Sequence, residues 1–217
     1  MDTSFDSGTV SRIDPATRRV AEEIKASGGG TADAAVGEGS VWVASWSPEG
    51  NSNPSEEDYE RGTLPEFSED AMLARINPAS DKAVSEIPVE NSAIEGGASS
   101  VAVDDETGAV WVTSVNARLL RVDPGTNEVV AGLDVGDYSF EVGAGAGAVW
   151  TSSEVNVNSA NAYTNRLTRV DPASNTISGR LERVLLRASG LAFEVGVVWL
   201  GSGDIESGKG ALAKITP

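Results

Sequence analysis

Carboxylates are the side chains of this sequence that could do acid–base or metal chemistry, because it contains no histidine and no cysteine. Without histidine, the commonest general base and the commonest metal ligand are missing. Without cysteine, disulfides and thiolate metal sites are excluded. Asp33 and Glu141 lie in short segments rich in small residues, where carboxylates could hold a cation or act as an acid–base pair. No sequence spacing selects such a pair.

The segment 47–70 holds the densest group of acidic residues in the sequence. Calcium binds such oxygen ligands, but the spacing here does not match an EF-hand loop. We therefore predict no bound cofactor and leave the metal unassigned, with calcium or magnesium as the ions that these carboxylates would suit.

Aromatic and polar residues outside the regular pattern are the remaining candidates for ligand contact. Trp46 stands at the entrance to the segment 47–70, where it either faces a ligand or packs under that segment. Tyr163 lies in an asparagine-rich stretch whose polar composition suits sugar or peptide contact. The predicted ligand-binding residues are Trp46, Asp33, Tyr138, Glu141, Tyr163 and Asp204.

Two phrases alternate along the chain and define a repeat. The first reads RIDPATRRV, RINPASDKAV, RVDPGTNEV and RVDPASNTI, beginning at residues 12, 75, 121 and 169. The second reads GSVWVAS, GAVWVTS, GAVWTSS and GVVWLGS, beginning at residues 39, 108, 147 and 196. A period of about 46 residues is typical of a repeat architecture.

Each repeat reads as four short strands, a to d, joined by tight turns. The VW phrase is β-branched and aromatic after a glycine, and forms strand b. The RxDP phrase forms strand c and runs into a turn in which the aspartate accepts backbone N–H groups. Four-stranded units of this kind predict an all-β protein with the blades of a β-propeller.

The repeats predict a single β-propeller domain over residues 1–217, with about four to five blades. The predicted blades are 1–28 (partial), 29–91, 92–136, 137–185 and 186–217 (partial). The strand order is c-d, three full sets of a to d, and then a-b-c, about seventeen strands in all. These terminal strands do not add up to an ordinary closed ring, so a partial ring, or one completed by a second copy, stays open.

Residues that recur at one repeat position are interpreted as structural. Tryptophans in register predict packing between blades, and the aspartates before proline predict turn chemistry, since Asn77 replaces one of them. The strand-c arginines are expected to form ion pairs or to lie between blades.

Length variation between repeats gives a better functional lead. The long b–c connections are 47–70, 154–165 and 203–210, and all b–c connections of a propeller emerge on one face. Extra length on one face predicts a binding surface there.

The phrases G-x-VWV-x-S and R-[IV]-D-P-x-[TS] resemble the YVTN-type and NHL-like propeller repeats, and in particular the streptogramin (virginiamycin B) lyase-like proteins. The resemblance covers nearly the whole chain and implies a propeller fold. Lyases of that family use a histidine base and a magnesium ion, and this sequence has no histidine that could match the base.

The formal net charge of −17 excludes several partners. Such a field repels nucleic acid and anionic membranes, because phosphate binding requires clustered lysines and arginines. No apolar stretch has the length of a membrane helix. The N-terminus shows no signal peptide, so the location stays open, with an acidic surface favouring an extracytoplasmic or secreted setting.

The sequence favours a non-catalytic module that binds a protein, peptide or carbohydrate on the face carrying the b–c insertions. One alternative is a hydrolase or lyase that uses carboxylates and a divalent cation. Another is an extracytoplasmic sensor domain of a larger protein. Self-association that completes a ring is a further expectation.

Overall fold

The computed structural model describes residues 2–4, 7–46, 71–90, 97–114, 116, 118–136, 138–158, 162–184, 188–204 and 209–216. Within these ranges the chain forms eighteen β-strands and no helix. No described segment is therefore a helix long and apolar enough to cross a membrane. The strands are β1 (Asp2–Ser4), β2 (Thr9–Asp14), β3 (Arg19–Lys25), β4 (Thr31–Gly37), β5 (Ser40–Trp46), β6 (Ala71–Asn77), β7 (Lys82–Glu90), β8 (Ala98–Asp104), β9 (Ala109–Ser114), β10 (Arg118–Asp123), β11 (Glu128–Asp134), β12 (Tyr138–Gly145), β13 (Ala148–Asn158), β14 (Ala162–Asp171), β15 (Thr176–Glu182), β16 (Ala188–Glu194), β17 (Val197–Asp204) and β18 (Lys209–Ile215).

The described strands form five sheets in chain order, in which hydrogen-bonded neighbours follow each other in sequence. Sheet I is β1-β2-β3, sheet II is β4 to β7, sheet III is β8 to β11, sheet IV is β12 to β15, and sheet V is β16-β17-β18. Three sheets have the four antiparallel strands that the repeat predicts.

Sheet I corrects the predicted strand count, because β1 was not expected. It pairs antiparallel with β2, with Asp2 opposite Ser11 and Ser4 opposite Thr9. The segment is short and polar, so it carries no apolar alternation that would reveal a strand. Its strand geometry comes from hydrogen bonding to the edge of β2.

The strands fall into two compact units. The first comprises Met1–Ala34 and Gly39–Ala98, and the second comprises Ala35–Glu38 and Ser99–Pro217. The expectation that residues 1–217 form one propeller domain with the blade boundaries given above stays a prediction.

The two repeated phrases pair with each other across the sheets. Trp111 lies opposite Arg121 in the register of β9 and β10, and the Arg121 guanidinium carbon is 5.9 Å from the centre of the indole ring. The same stacking is seen in the other repeats, for Arg75 on Trp42 at 4.8 Å, Arg169 on Trp150 at 5.8 Å and Lys214 on Trp199 at 5.5 Å. A cation over an indole face is attracted by the ring quadrupole, so the phrases recur together because they form one contact.

The RxDP turns are held by the side chain before the proline, as predicted. In the first turn, Asp14 accepts hydrogen bonds from the Ala16 backbone N–H at 2.9 Å and from the Thr17 hydroxyl at 2.8 Å. In the second turn, the Asn77 side-chain oxygen accepts from Ala79 N–H at 2.9 Å. An amide oxygen therefore does the same work as the carboxylate, and the aspartates are structural.

The described core clusters lie between sheets I and II, between sheets III and IV, and between sheets IV and V, and they are centred on strands b and c. The side chains from Ser40 to Ser45 of β5 are all buried, which is expected of a strand covered on both faces. In the repeated tryptophan position, Trp42, Trp111 and Trp150 are buried, as predicted, whereas Trp199 of sheet V is only partly buried. The outermost strands β3, β11 and β15 are mostly exposed.

The innermost strands of sheets IV and V approach each other closely. A Cβ atom placed on Gly145 of β12 would lie 2.5 Å from Cγ of Phe193 on β16. Only a residue without a side chain fits there. The small residues of the first strand in each repeat thus provide the space that crowded inner strands require.

Candidate functional site

The first unit contains two of the predicted ligand-binding residues, Asp33 and Trp46. Asp33 lies in the middle of β4, and its carboxylate accepts a hydrogen bond from the Ala34 N–H at 2.8 Å. Trp46 ends β5 and is partly buried. A Cβ atom added to Gly97 would lie 2.9 Å from the Trp46 Cβ and 3.4 Å from its ring. This indole therefore packs on the backbone at Gly97.

Two other predicted residues lie at the start of β12, the inner strand of sheet IV. Tyr138 pairs with Glu154 of β13, so it lies at the edge of the sheet where β13 continues toward β14. We call this the b–c edge. Glu141 pairs with Ser152, and the register shifts between Ser139 and Glu141. Tyr138 and Glu141 thus lie three residues apart on the same strand, β12.

The register shift leaves Phe140 as an extra residue in β12. Such a bulge bends the strand and changes where its side chains point. Tyr138 is 44% exposed and Phe140 is 41% exposed, although they flank the fully buried Ser139. Phe140 was not predicted as a site residue, and the signal that could have revealed it was a second aromatic residue two positions after Tyr138 in β12.

A layer of buried and partly buried hydroxyl groups holds this end of β12 in place. The Ser139 hydroxyl hydrogen-bonds to that of Thr151 at 2.9 Å. The Ser99 hydroxyl of β8 donates to the Ser139 carbonyl at 3.0 Å, and the Val142 N–H donates to the Ser100 hydroxyl at 3.2 Å. These bonds join the inner strands of sheets III and IV, so the strand that carries the exposed aromatics is hydrogen-bonded to its neighbour.

Glu141 lies opposite a buried hydroxyl group that has no hydrogen-bond partner among the described residues. Its cross-strand partner Ser152 is 2% exposed. In the described part of the chain, the Ser152 hydroxyl has no hydrogen-bond partner. Buried hydroxyls usually have one, so this position can accept or donate one further hydrogen bond.

In two of the three predicted b–c insertions, the described residues continue the flanking strands, whereas a loop was predicted; residues 159–161 and 205–208 lie outside the described residues. In sheet IV, β13 and β14 stay paired as far as Asn158 and Ala162. In sheet V, β17 and β18 stay paired as far as Asp204 and Lys209. Backbone pairing extends these strands. The sequence did not reveal the extension because these polar segments show no alternation of apolar residues. The segment 47–70 lies outside the described residues.

Tyr163 and Asp204 lie on these extended hairpins. Tyr163 is opposite Asn156 in the β13–β14 ladder, and Asp204 is opposite Lys209 in the β17–β18 ladder. Their backbones are thus at the b–c edges of sheets IV and V. Within the second unit, four of the six predicted residues fall at this edge: Tyr138, Glu141, Tyr163 and Asp204.

Among the described residues, the charged groups with shifted pKa values or ion-pair partners serve structural roles in turns and between strands. The hydrogen bond from the Thr17 hydroxyl, followed by that from the Ala16 N–H, lowers the pKa of Asp14, and the backbone N–H of Ala173 lowers the pKa of Asp171. Near the b–c edge, Arg166 and Glu182 form an ion pair at 2.7 Å. Among the described residues, no group of three or more acidic side chains could hold a metal ion.

No protein-family model matches the chain, and a search of curated proteins finds no match. Solved structures do match. They include Kuenenia stuttgartiensis hydrazine synthase, with a TM-score of 0.60 and 13% identity over 91% of this chain and 51% of that one. The WD40 domain of Toxoplasma gondii coronin matches with a TM-score of 0.59 and 11% identity, over 86% of this chain and 43% of that one. The RRP9 WD40 repeats match with a TM-score of 0.54 and 9% identity, over 96% of this chain and 55% of that one.

These similarities and the repeated antiparallel sheets define the class of protein. The chain is an all-β protein of the β-propeller type, as predicted, with its described strands in five sheets. At this level of identity the similarity shows the fold alone. The chain spans about half the length of the solved structures that it matches.

Proposed function

We propose that the chain is a non-catalytic binding module whose ligand contacts the b–c edge of sheets IV and V. The observation that carries this proposal is the exposed pair Tyr138 and Phe140 on an inner strand. Aromatic side chains combine a large apolar surface with few rotatable bonds, so they bind partners at low entropic cost. Two exposed aromatics on a hydrogen-bonded base are therefore suited to ligand contact.

The extended strands of sheets IV and V support a binding site at the same edge. The β13–β14 and β17–β18 ladders both continue beyond the repeated serine, Ser153 and Ser202 respectively. In sheet III, by contrast, β9 ends at Ser114. Extra strand length on two neighbouring sheets offers a ligand more backbone hydrogen-bonding groups at this edge.

The ligand that fits this edge is a protein segment, a peptide or a carbohydrate. Glu141 and Glu154 flank the aromatic pair, and the chain carries a net charge of −17. An acidic surface with aromatics suits neutral sugars and neutral or basic peptides, and it repels nucleic acid. We further propose that the chain belongs among the YVTN- and NHL-like propellers, without the histidine-based chemistry of the streptogramin lyases.

The test is a binding screen of the whole chain on a glycan array and a peptide array. We expect ligands from one of these classes. The double variant Tyr138→Ala/Phe140→Ala should weaken their binding by about tenfold or more, since aromatic residues at interfaces contribute strongly to the binding free energy. Val195→Ala is the matched control, because Val195 is 98% exposed and lies in the β16–β17 turn at the opposite edge.

Two outcomes would contradict the proposal. One is a ligand whose affinity the Tyr138/Phe140 variant leaves unchanged or the Val195 control reduces equally. The other is a hydrolase or lyase activity that the variant Glu141→Gln abolishes, which would favour the carboxylate enzyme instead.

A further inference from the structure

Four side chains at the b–c edge of sheet IV share one side of the β12–β13 ladder. We call them the acidic face: Tyr138, Glu141, Ser152 and Glu154. Tyr138 lies directly opposite Glu154, and Glu141 lies directly opposite Ser152. Residues opposite each other in an antiparallel pair point to the same side of the sheet. Along β13, residues 152 and 154 point to one side and Ser153 points to the other, so the four side chains are neighbours.

The acidic face brings two carboxylates together without a cation at the facing positions of the next strand. Glu141 and Glu154 are diagonal to each other across the two strands, a separation that long side chains can span. The residues of β14 opposite Glu154 and Ser152 are Asn165 and Leu167, which are both uncharged. Two carboxylates at such a distance repel each other, so a cation placed between them is attracted by both.

The arginine at this end of β14 points away from the acidic face. Arg166 lies opposite Ser153, which is buried on the other side of the ladder. Its guanidinium forms the ion pair with Glu182 at 2.7 Å. The arginine therefore balances a carboxylate of β15, and the two carboxylates of the acidic face stay available to a cation from outside.

Aromatic rings stand beside these carboxylates. Tyr138, opposite Glu154, is 44% exposed, and the bulge residue Phe140 next to Glu141 is 41% exposed. The face of an aromatic ring attracts a cation through the ring quadrupole. Carboxylates with exposed rings therefore provide both kinds of group that bind an ammonium or a guanidinium.

The buried hydroxyl of Ser152 distinguishes this face from an ordinary acidic surface. Ser152 is 2% exposed, and its hydroxyl has no hydrogen-bond partner among the described residues. A buried hydroxyl left without a partner costs free energy. Because Ser152 lies directly opposite Glu141, its hydroxyl can donate to the Glu141 carboxylate once a ligand holds that carboxylate over β13.

We propose that the acidic face binds a basic side chain, lysine or arginine, of a partner peptide. The cation lies between the carboxylates of Glu141 and Glu154 and against the ring of Tyr138. The net charge of −17 draws such a peptide toward the protein. This inference rests on the binding function proposed above, and it narrows the ligand to a basic peptide.

The test uses three fluorescein-labelled peptides of twelve residues, in which glycine alternates with lysine, arginine or glutamine. Each peptide is titrated with the whole protein and followed by fluorescence anisotropy in about 0.1 M NaCl, where the Debye length is about 10 Å. We expect saturable binding of the lysine and arginine peptides and none of the glutamine peptide, because only a cation is attracted by both carboxylates.

Variants matched in charge separate a site from general attraction. The double variant Glu141→Gln/Glu154→Gln should weaken binding of the basic peptides by about tenfold or more. The control Glu23→Gln/Glu86→Gln also removes two negative charges, from exposed positions on the outermost strands β3 and β7. It should change the affinity by less than about twofold, since single exposed charges contribute little.

Ser152→Ala tests the role of the hydroxyl separately from folding. It should weaken binding of the basic peptides several-fold, the typical effect of one hydrogen bond. The melting temperature should stay the same or rise, because the variant removes a buried polar group without a partner. Tyr138→Ala should also weaken binding, and Tyr138→Phe should preserve it because the ring remains.

The outcomes distinguish the inference from the binding function on which it rests. The inference is wrong if neither basic peptide saturates at protein concentrations up to about 1 mM, or if the site and control variants weaken binding equally. A neutral ligand whose binding requires Tyr138 and Phe140 but neither glutamate would also overturn it, and the proposed binding function would stand. If no ligand depends on Tyr138 and Phe140, both proposals fail.

Discussion

At the scale of single residues, the repeated side chains of this chain are structural. The tryptophan of strand b and the arginine or lysine of strand c stack across the ladder in four sheets. The arginines also lie between sheets, as predicted, and Arg12 and Arg121 each bind the turn of the next sheet. Function is therefore expected from residues that depart from the repeat, such as Phe140.

Two turn aspartates should make stability depend on acid. The pKa of Asp14 and that of Asp171 are both lowered from 3.8 by hydrogen bonds in their turns. Their contribution to stability is therefore complete above the ordinary pKa and is lost as the pH falls through the lowered value. We expect the double variant Asp14→Asn/Asp171→Asn to flatten the pH dependence of the melting temperature below about pH 4.

The control for this experiment is the opposite exchange. Asn77 already forms the same turn bond with its amide oxygen. Asn77→Asp should therefore fold normally at neutral pH and add acid sensitivity. A melting temperature whose pH dependence is unchanged in both variants would show that these turns do not contribute to acid stability.

At the scale of elements, the close approach of inner strands sets the packing of sheets IV and V. Phe193 of β16 fills the space above Gly143 and Gly145 of β12. The same strand β12 carries the exposed aromatics at its other end. One strand thus combines a tightly packed half with a half that faces solvent.

Gly145→Ala should destabilise the protein by about 1–3 kcal/mol, because the added methyl overlaps the Phe193 ring and forces the strands apart. Gly190→Ala is the matched control on β16, where an added Cβ meets nothing within 4 Å. Urea unfolding measures both. If the free energy of unfolding falls as much in the control as in Gly145→Ala, or falls in neither variant, this contact does not determine the packing.

At the scale of the whole molecule, the excess of acidic residues dominates the electrostatics. The sequence carries 33 acidic and 16 basic residues and no histidine. Like charges on a folded surface repel, which lowers the stability of the compact state and favours solubility. Salt screens this repulsion over a Debye length of about 10 Å at 0.1 M.

The melting temperature should therefore rise as NaCl is increased from about 0.02 to 0.3 M, since screening acts mainly on exposed charges. Matched ionic strengths of CaCl₂ and MgCl₂ are the control, because screening alone should give nearly the same rise. A much larger rise at low concentrations of either divalent ion would indicate a specific cation site. A fall with NaCl would contradict net repulsion.

The local structure of each repeat could be predicted from the sequence alone. The alternation of the VW and RxDP phrases gave the strands, their order and the turn chemistry, because these depend on side chains close together in the chain. Asn77 alone showed that the turn carboxylate is replaceable. The edge that holds Tyr138 and Glu141 also followed from strand order, since strands in a meander begin and end at alternate edges.

Features that depend on contacts between distant segments could not be predicted from the sequence and required the three-dimensional structure. β1 became a strand through pairing with β2, and the described parts of the polar insertions of sheets IV and V extend the flanking strands through backbone ladders. The exposure of Phe140 required a bulge opposite β13. Such features arise from packing between sheets, and the chemistry of a single repeat does not encode them.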